Sequence, residues 1–245
     1  MRKFLIAGII LFSQLVSTAQ TNSEISWVYK FGVAGGITPM WLFPDFQELN
    51  KVLPDFGVKE LPSSGIFGLG GAGYAYIMIV DNLRIGGAGF SGTVSRDNIS
   101  GGFRKEIEYS IGGGGLTIEY TLPMIKRIAI SVGTMIGGGE VDIKIYQNNG
   151  DFSWNGIWDE VTDPSINTEN INRRISKSFF TITPTINVDI PINRFMAVRV
   201  GGGYLVELSG DWKVDNGVKL SGVPSNLNGN SFFIQTGLLV GLFAY

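Results

Sequence analysis

The sequence predicts an all-β chain, folded as one eight-stranded antiparallel up-and-down barrel with one short helix in its first long loop. Three observations predict it. Apolar and polar residues alternate with period two in run after run, long and short connections alternate along the chain, and glycine, at 35 of 245 residues, is about twice as frequent as usual. The clearest run places Phe180, Ile182, Pro184, Ile186, Val188 and Ile190 on one face and Thr181, Thr183, Thr185, Asn187 and Asp189 on the other. Pro191-Ile192-Asn193-Arg194 makes a turn, after which Met196, Val198 and Val200 alternate with Ala197 and Arg199. An apolar face roughly ten residues long, backed by polar side chains, suits a strand with lipid outside and a wet lumen inside.

Residues 1–19 have the form of a secretory signal peptide: Arg2 and Lys3, the apolar run Phe4–Val16, then Ser17-Thr18-Ala19 ahead of Gln20. The run is too short to span a bilayer as a helix, which takes roughly twenty residues. The rest, 20–245, is expected to be a single β domain.

The first strand is expected at Ser26–Ile37, with Trp27, Tyr29, Phe31 and Val33 on one face. In the connection Thr38–Ser64, Phe46, Leu49, Val52 and Leu53 recur at helical spacing, which predicts a helix over Pro44–Leu53, ended by Pro54 and the only one in the mature chain. Strands follow at Gly65–Val80 and Leu83–Ser95 around the turn Asp81-Asn82. Arg96–Phe103 reads as a polar loop, Arg104–Leu122 as a strand, Pro123–Lys126 as a turn and Arg127–Tyr146 as a strand. A long polar loop, Gln147–Ser176, precedes the alternating pair. Another, Ser209–Asn230, precedes the last strand, Ser231–Tyr245.

The ending Phe243-Ala244-Tyr245 resembles the aromatic terminal strand by which outer-membrane barrels are recognised for insertion. The mature chain as a whole is similar to the small eight-stranded outer-membrane β-barrel proteins. That resemblance implies an outer-membrane location, membrane lipid and the barrel insertion machinery as partners, and no catalysis, as in most members. The role expected is then structural, adhesive or that of a narrow pore. Two strands depart from the pattern by being apolar on both faces: Tyr74, Tyr76 and Met78 against Ala75, Ile77 and Ile79, and Phe232, Ile234, Leu238, Val240 and Leu242 against Phe233, Leu239 and Phe243. They suit a packed lumen, or alternatively an exported soluble barrel or sandwich that binds an apolar ligand. The two alternatives differ in whether the Thr181–Asp189 polar set faces inward or outward.

Glycines cluster at Gly70-Gly71, Gly86-Gly87, Gly112–Gly115, Gly137–Gly139 and Gly201–Gly203, one cluster per strand. Folding about a 96–103 loop sets Gly86-Gly87 opposite Gly112-Gly113, which predicts a partial belt through Gly70, Gly71, Gly86, Gly87, Gly112, Gly113, Gly137, Gly138, Gly201 and Gly202. The belt relieves crowding in a small barrel, or makes room for the loop helix as a plug, and valine at Gly113 or Gly138 is expected to be disruptive. The apolar phase also changes across two clusters, from Ile107, Tyr109, Ile111 to Leu116, Ile118, Tyr120, and from Ile128, Ile130, Val132 to Val141, Ile143, Ile145. A β-bulge produces such a slip.

The inward charges are Lys30, Glu119, Asp189 and Arg199, with Asp189 and Arg199 on neighbouring strands. Buried charges call for partners, so these residues are expected to form a lumenal ion-pair network or a polar constriction. Cysteine and histidine are absent, which removes thiol chemistry, thiolate metal sites and the commonest general base. A formal charge of −2 argues against a nucleic-acid partner. Gly68–Gly73 matches G-x-G-x-x-G, but strand and not helix follows, so no nucleotide site is expected. Asp151, Asp159, Glu160 and Asp163 lack the spacing of a calcium loop. No cofactor or metal is expected. The loop tryptophans Trp154, Trp158 and Trp212 read as solvated decoration, interfacial anchors, or contacts for sugars or a partner.

Overall fold

The computed structural model describes residues 31–77, 79–123, 128–150, 152–163, 165–166 and 168–244. The proposed signal peptide, Lys30, Trp27, Tyr29, Met78, Asp151 and Tyr245 lie outside them. The strands are β1 (Phe31–Ile37), β2 (Met40–Pro44), β3 (Ile66–Tyr76), β4 (Leu83–Ser100), β5 (Phe103–Thr121), β6 (Ala129–Asn148), β7 (Ile171–Asn193), β8 (Met196–Ser209), β9 (Lys213–Val214), β10 (Val218–Lys219) and β11 (Ser231–Ala244). β1 and β2 are one wall strand interrupted at Thr38-Pro39, and both pair with β11 on one side and β3 on the other. The remaining walls pair in sequence order through β8, and β8 pairs with β11. The sheet therefore closes as an eight-stranded antiparallel barrel, which excludes a sandwich. β9 and β10 form a small hairpin on the edge of β7.

Several elements differ from expectation. The loop Arg96–Phe103 is instead a tight turn at Gly101-Gly102, whose φ angles of 62° and 82° suit glycine, so β4 and β5 form one long hairpin. β3 stops at Tyr76, four residues early, and Ile79 in the following turn is 92% exposed. β7 starts at Ile171 and runs through Pro191 to Asn193, so the turn is Arg194-Phe195. A second helix, α2 (Trp154–Thr162), stands in the loop after β6, where only polar loop was expected. Ser153 caps it through a side-chain oxygen that accepts from the Gly156 N–H at 3.0 Å.

The first helix, α1 (Gln47–Phe56), begins where the Asp45 carboxylate accepts from the Gln47 N–H at 2.9 Å. It ends at Gly57, whose φ of 92° makes a left-handed cap. Pro54 lies in the last turn rather than beyond it, and the helix continues two residues past it to Phe56. Leu49 and Leu53 point down into the barrel mouth, whereas Val52 is exposed.

No bulge separates the two apolar phases of β5 and β6. The β4–β5 and β5–β6 registers run unbroken across the glycines; the irregularities fall between β7 and β8, at Phe180/Thr181 and Pro191/Asn193. Odd residues of β5 face inward throughout. Ile107, Tyr109 and Ile111 are buried inside the barrel, while Leu116, Ile118 and Tyr120 are exposed on its outer wall. β6 behaves alike, with Val141 and Ile143 buried inside and Val132 and Ile136 exposed outside. The apolar face changes sides without any change of backbone phase, because the surroundings change along the strand.

Candidate functional site: a lumenal ion network under an apolar cap

Below the glycines the outer wall is apolar: Val33, Ile37, Ile85, Leu116, Ile118, Val132, Ile136, Ile186, Leu238, Val240 and Leu242 are all exposed. Aromatic rings edge the band. Trp41 meets Phe67 edge-on at 6.0 Å, and Phe43 lies 5.9 Å from Phe232. Water does not favour such a surface on a closed barrel; lipid does, and aromatic girdles mark its boundaries. Thr181, Thr183, Asn187 and Asp189 are buried within the lumen, as a membrane barrel requires.

Inside this band, side chains from seven of the eight walls converge. The Arg84 guanidinium from β4 donates to Asp189 on β7 and Glu119 on β5, each at 2.6 Å, and to the Ser131 hydroxyl on β6. Arg199 on β8 donates to both Asp189 oxygens, at 2.7 and 2.9 Å, and lies 3.4 Å from Glu119. Asn187 donates to the other Glu119 oxygen at 2.8 Å, and Gln235 on β11 donates to Asn187 at 2.8 Å. From β3, the Tyr74 ring lies under both guanidinium groups, 4.2 Å from that of Arg84 and 5.1 Å from that of Arg199. Tyr76 shares a 3.2 Å hydrogen bond with Thr121. Two cations meet two anions, so the cluster is neutral, and Arg84 is only 1% exposed.

The structure therefore brings Glu119, Asp189 and Arg199 together, with Asp189 directly opposite Arg199. Sequence reasoning missed Arg84, the residue that joins the two carboxylates. It also missed the buried pair Lys177–Glu207 higher in the lumen. Glu207 accepts from the Gly229 N–H at 2.5 Å, and the Lys177 ammonium lies 5.6 Å from the Trp212 ring, which fastens the 210–230 segment across the mouth. Trp212 is thus buried, not solvated decoration.

Above the network the lumen turns apolar. Phe46, Leu49, Leu53, Val58 and Leu61 from the α1 segment pack with Ile107, Tyr109, Ile111, Val141, Ile143 and Phe179 from the walls. Phe46 meets Tyr109 edge-on at 4.9 Å. Three inward side chains of the β4–β5 hairpin secure the end of α1: Lys105 donates to the Phe56 carbonyl at 3.0 Å, Asn98 to Gly57 at 2.8 Å and Arg96 to Glu60 at 3.2 Å. Between network and cap remains a cavity of about 30 Å³, room for a water molecule or two.

The glycines take a different register from that expected. Gly86 and Gly87 lie opposite Thr117 and Leu116, while Gly112 and Gly113 lie opposite Ser91 and Phe90. Gly70 faces Phe90 and Gly71 faces Gly89; Gly137 and Gly138 face Gly115 and Gly114. On β8, Gly201 and Gly202 lie beside Asn187 and Ile186, well below the level of Gly137 and Gly138 on β7. The belt therefore covers β1 and β3–β6 and breaks at β7. Its inward members are crowded by backbone or rings, not by α1. A Cβ on Gly115 would come within 2.7 Å of the Gly137 Cα, and one on Gly139 within 2.5 Å of the Phe179 ring. Some outward members are open: a Cβ on Gly138 would meet nothing nearer than the Phe179 carbonyl oxygen, at 3.6 Å, whereas one on Gly202 would come within 2.8 Å of the Phe233 carbonyl oxygen.

A closed eight-stranded wall, apolar outside and polar within, defines an outer-membrane β-barrel protein. No family model and no curated protein matches the chain. Among solved structures, it is similar to a major outer membrane protein of Thermus thermophilus (11% identity, TM-score 0.47, covering 86% of this chain and 99% of that one). It is also similar to Ail, the attachment invasion locus protein of Yersinia pestis (10% identity, TM-score 0.39, 85% and 97% covered), and to the outer membrane protein OprG of Pseudomonas aeruginosa (11%, 0.41, 89% and 98%).

Proposed function

We propose that this outer-membrane barrel is non-enzymatic and non-conducting, and that it acts through its water-exposed end in a structural or adhesive role. The observation that carries this reading is the double closure of the lumen. An open pore needs a continuous wet path, whereas here a neutral, mutually bonded ion network lies beneath an apolar cap. The same saturation disfavours acid–base catalysis, because each carboxylate of the network is already committed to a guanidinium. What the barrel offers to the outside is the long β4–β5 hairpin, α2 and the β9–β10 hairpin, all at the end opposite the short turns.

Planar-bilayer recording of the purified, folded protein tests the reading. Wild type is expected to show no steady conductance, and a variant lacking residues 46–61 is expected to remain closed by the ion network. Steady single-channel currents from wild type would overturn the proposal in favour of a narrow pore.

A further inference from the structure

Where the glycine belt crosses β4–β7, the outer wall carries an open groove of about 580 Å³. Its floor is bare backbone, Gly112-Gly113 on β5 and Gly138-Gly139 on β6. One row of facing residues crosses it: Ser91, Gly112, Glu140 and Ser178. In the row above, Asp142 faces Ser110. Below the floor, Leu116 and Ile136 face each other and are exposed, and Phe180 lies opposite Gly138. The groove therefore continues the lipid-facing band upward, at the level where the wall changes from aliphatic to charged and a membrane has its headgroups.

The charges above the floor do not balance. Among the described residues, one cation lies within ion-pair distance of the two carboxylates: Arg174, whose Nε donates to Asp142 at 2.7 Å and whose Nη2 lies 3.4 Å from Glu140. Lys144, next up the wall, is held by Glu108 at 2.7 Å, and Lys213 stands two strands from Asp142, across Ser176. One negative charge is thus in excess at the groove. Asp142 Oδ1 is buried with no hydrogen-bond partner, so water does not screen it, while the half-exposed Glu140 projects beside the floor.

We propose that this groove binds one membrane lipid with a primary ammonium headgroup. The ammonium donates to Glu140 beside Asp142, the lipid phosphate accepts from the Ser178 hydroxyl, and an acyl chain runs down over Leu116 and Ile136. A primary ammonium brings N–H donors for charge-assisted bonds to carboxylate. A quaternary one has none and calls for an aromatic cage, but of the outward residues facing the floor in register only Phe180 is aromatic.

The test exposes the delipidated, folded barrel in detergent to equimolar phosphatidylethanolamine, phosphatidylcholine and phosphatidylglycerol with identical acyl chains. Native mass spectrometry then counts what is retained. Expected is one phosphatidylethanolamine per barrel, favoured about tenfold over phosphatidylcholine, the ratio a charge-assisted hydrogen bond supplies. Glu140→Gln, which leaves the Asp142–Arg174 pair intact, should bring the two lipids to parity. Gly138→Val, which fills the floor, should lower retention of all three while heat-modifiable gel mobility is kept; if that variant fails to fold, Glu140→Gln decides alone. Equal retention of the three lipids by wild type, a lead for phosphatidylglycerol, or a preference that survives Glu140→Gln would overturn the proposal. So would displacement of the lipid by soluble glycerophosphoethanolamine, which would make the ligand a free amine. A lipid-free barrel dimer that Gly138→Val dissociates would give the groove to a second copy instead.

Discussion

Below the glycine belt the wall is apolar outside and polar inside; above it the wall is charged outside and apolar inside. The same strands, β5 and β6, run through both regions in one unbroken register. Below, Leu116 and Ile136 face lipid, while Glu119 and Ser131 face the lumen. Above, Glu108 and Lys144 pair across the outer face at 2.7 Å, while Tyr109 and Ile143 are buried against the α1 segment. In lipid the outside is already apolar, so the lumen takes the polar groups and binds them to one another. In water the hydrophobic effect acts inward, and the mouth becomes an ordinary packed core. The protein is a membrane barrel with a soluble barrel built on its rim.

The inward glycines lie where neighbouring backbone or rings leave no room for a Cβ, and they give the largest expected effect. Gly115 and Gly137 face each other across β5 and β6, each filling the space that the other's Cβ would need. Gly115→Val should prevent barrel closure and abolish the mobility difference between boiled and unboiled samples on a detergent gel. Gly138→Val, one residue away but directed outward, should fold normally, since β-branched residues suit strands and nothing stands nearby. This separates an inward from an outward glycine of clusters that sequence treats alike; a Gly138→Val protein that fails to fold would show that the outward glycines are needed as well.

The next effect isolates the membrane region. Arg84→Met removes the cation that joins Glu119 to Asp189 and leaves two carboxylates with one guanidinium between them. Truncating one partner of a buried ion network costs about 3–5 kcal/mol. Guanidinium titration of the detergent-folded barrel should show that loss. The charge-balanced double variant Arg84→Met/Glu119→Gln should recover much of it, because the uncompensated carboxylate is then gone. Equal stability of the single and double variants would mean that packing, not charge, sets the value of the floor.

The wall itself was legible in the sequence because its alternation is strict where lipid faces it: the Phe180–Ile190 run assigns lumen and lipid sides without any help from tertiary contacts. Register was not. Reading 96–103 as a loop slid β4 along β5, which set Gly86-Gly87 opposite Gly112-Gly113 and hid the true pairing of Arg84 with Glu119. The cue was available in Gly101-Gly102, a dipeptide suited to a two-residue hairpin turn. Phase inversion on β5 and β6 imitated a bulge, because one sequence pattern serves either for a slipped backbone or for an unslipped one whose surroundings change. The helix α2 was overlooked for a related reason. Its tryptophans sit among Asn, Asp and Gly, and a nine-residue helix shows only about two and a half turns of periodicity.

The smallest effect belongs to the water-exposed end, where charge pairs are solvated and individually weak. Asp215, at the tip of the β9–β10 hairpin, accepts from the Arg173 side chain and from the Arg174 N–H at 3.1 Å, the latter joining the hairpin to β7. The Arg173 hydrogen bond, followed by that from the Arg174 backbone, holds its carboxyl below the usual aspartate range. A depressed pKa means that the anion is favoured in the folded state. Its contribution is therefore complete above the ordinary aspartate range and is lost as the pH falls through the depressed one. Amide exchange should register this as reduced protection of Val214 and Lys219 in acid, with the β5–β6 amides unchanged. Asp215→Asn keeps a side-chain acceptor and a residue suited to the left-handed φ of 50°, but it removes the charge, so protection should be modestly lower at neutral pH and flat through acid. An Asp215→Asn hairpin that still loosens in acid would overturn the assignment of the effect to the Asp215 carboxylate.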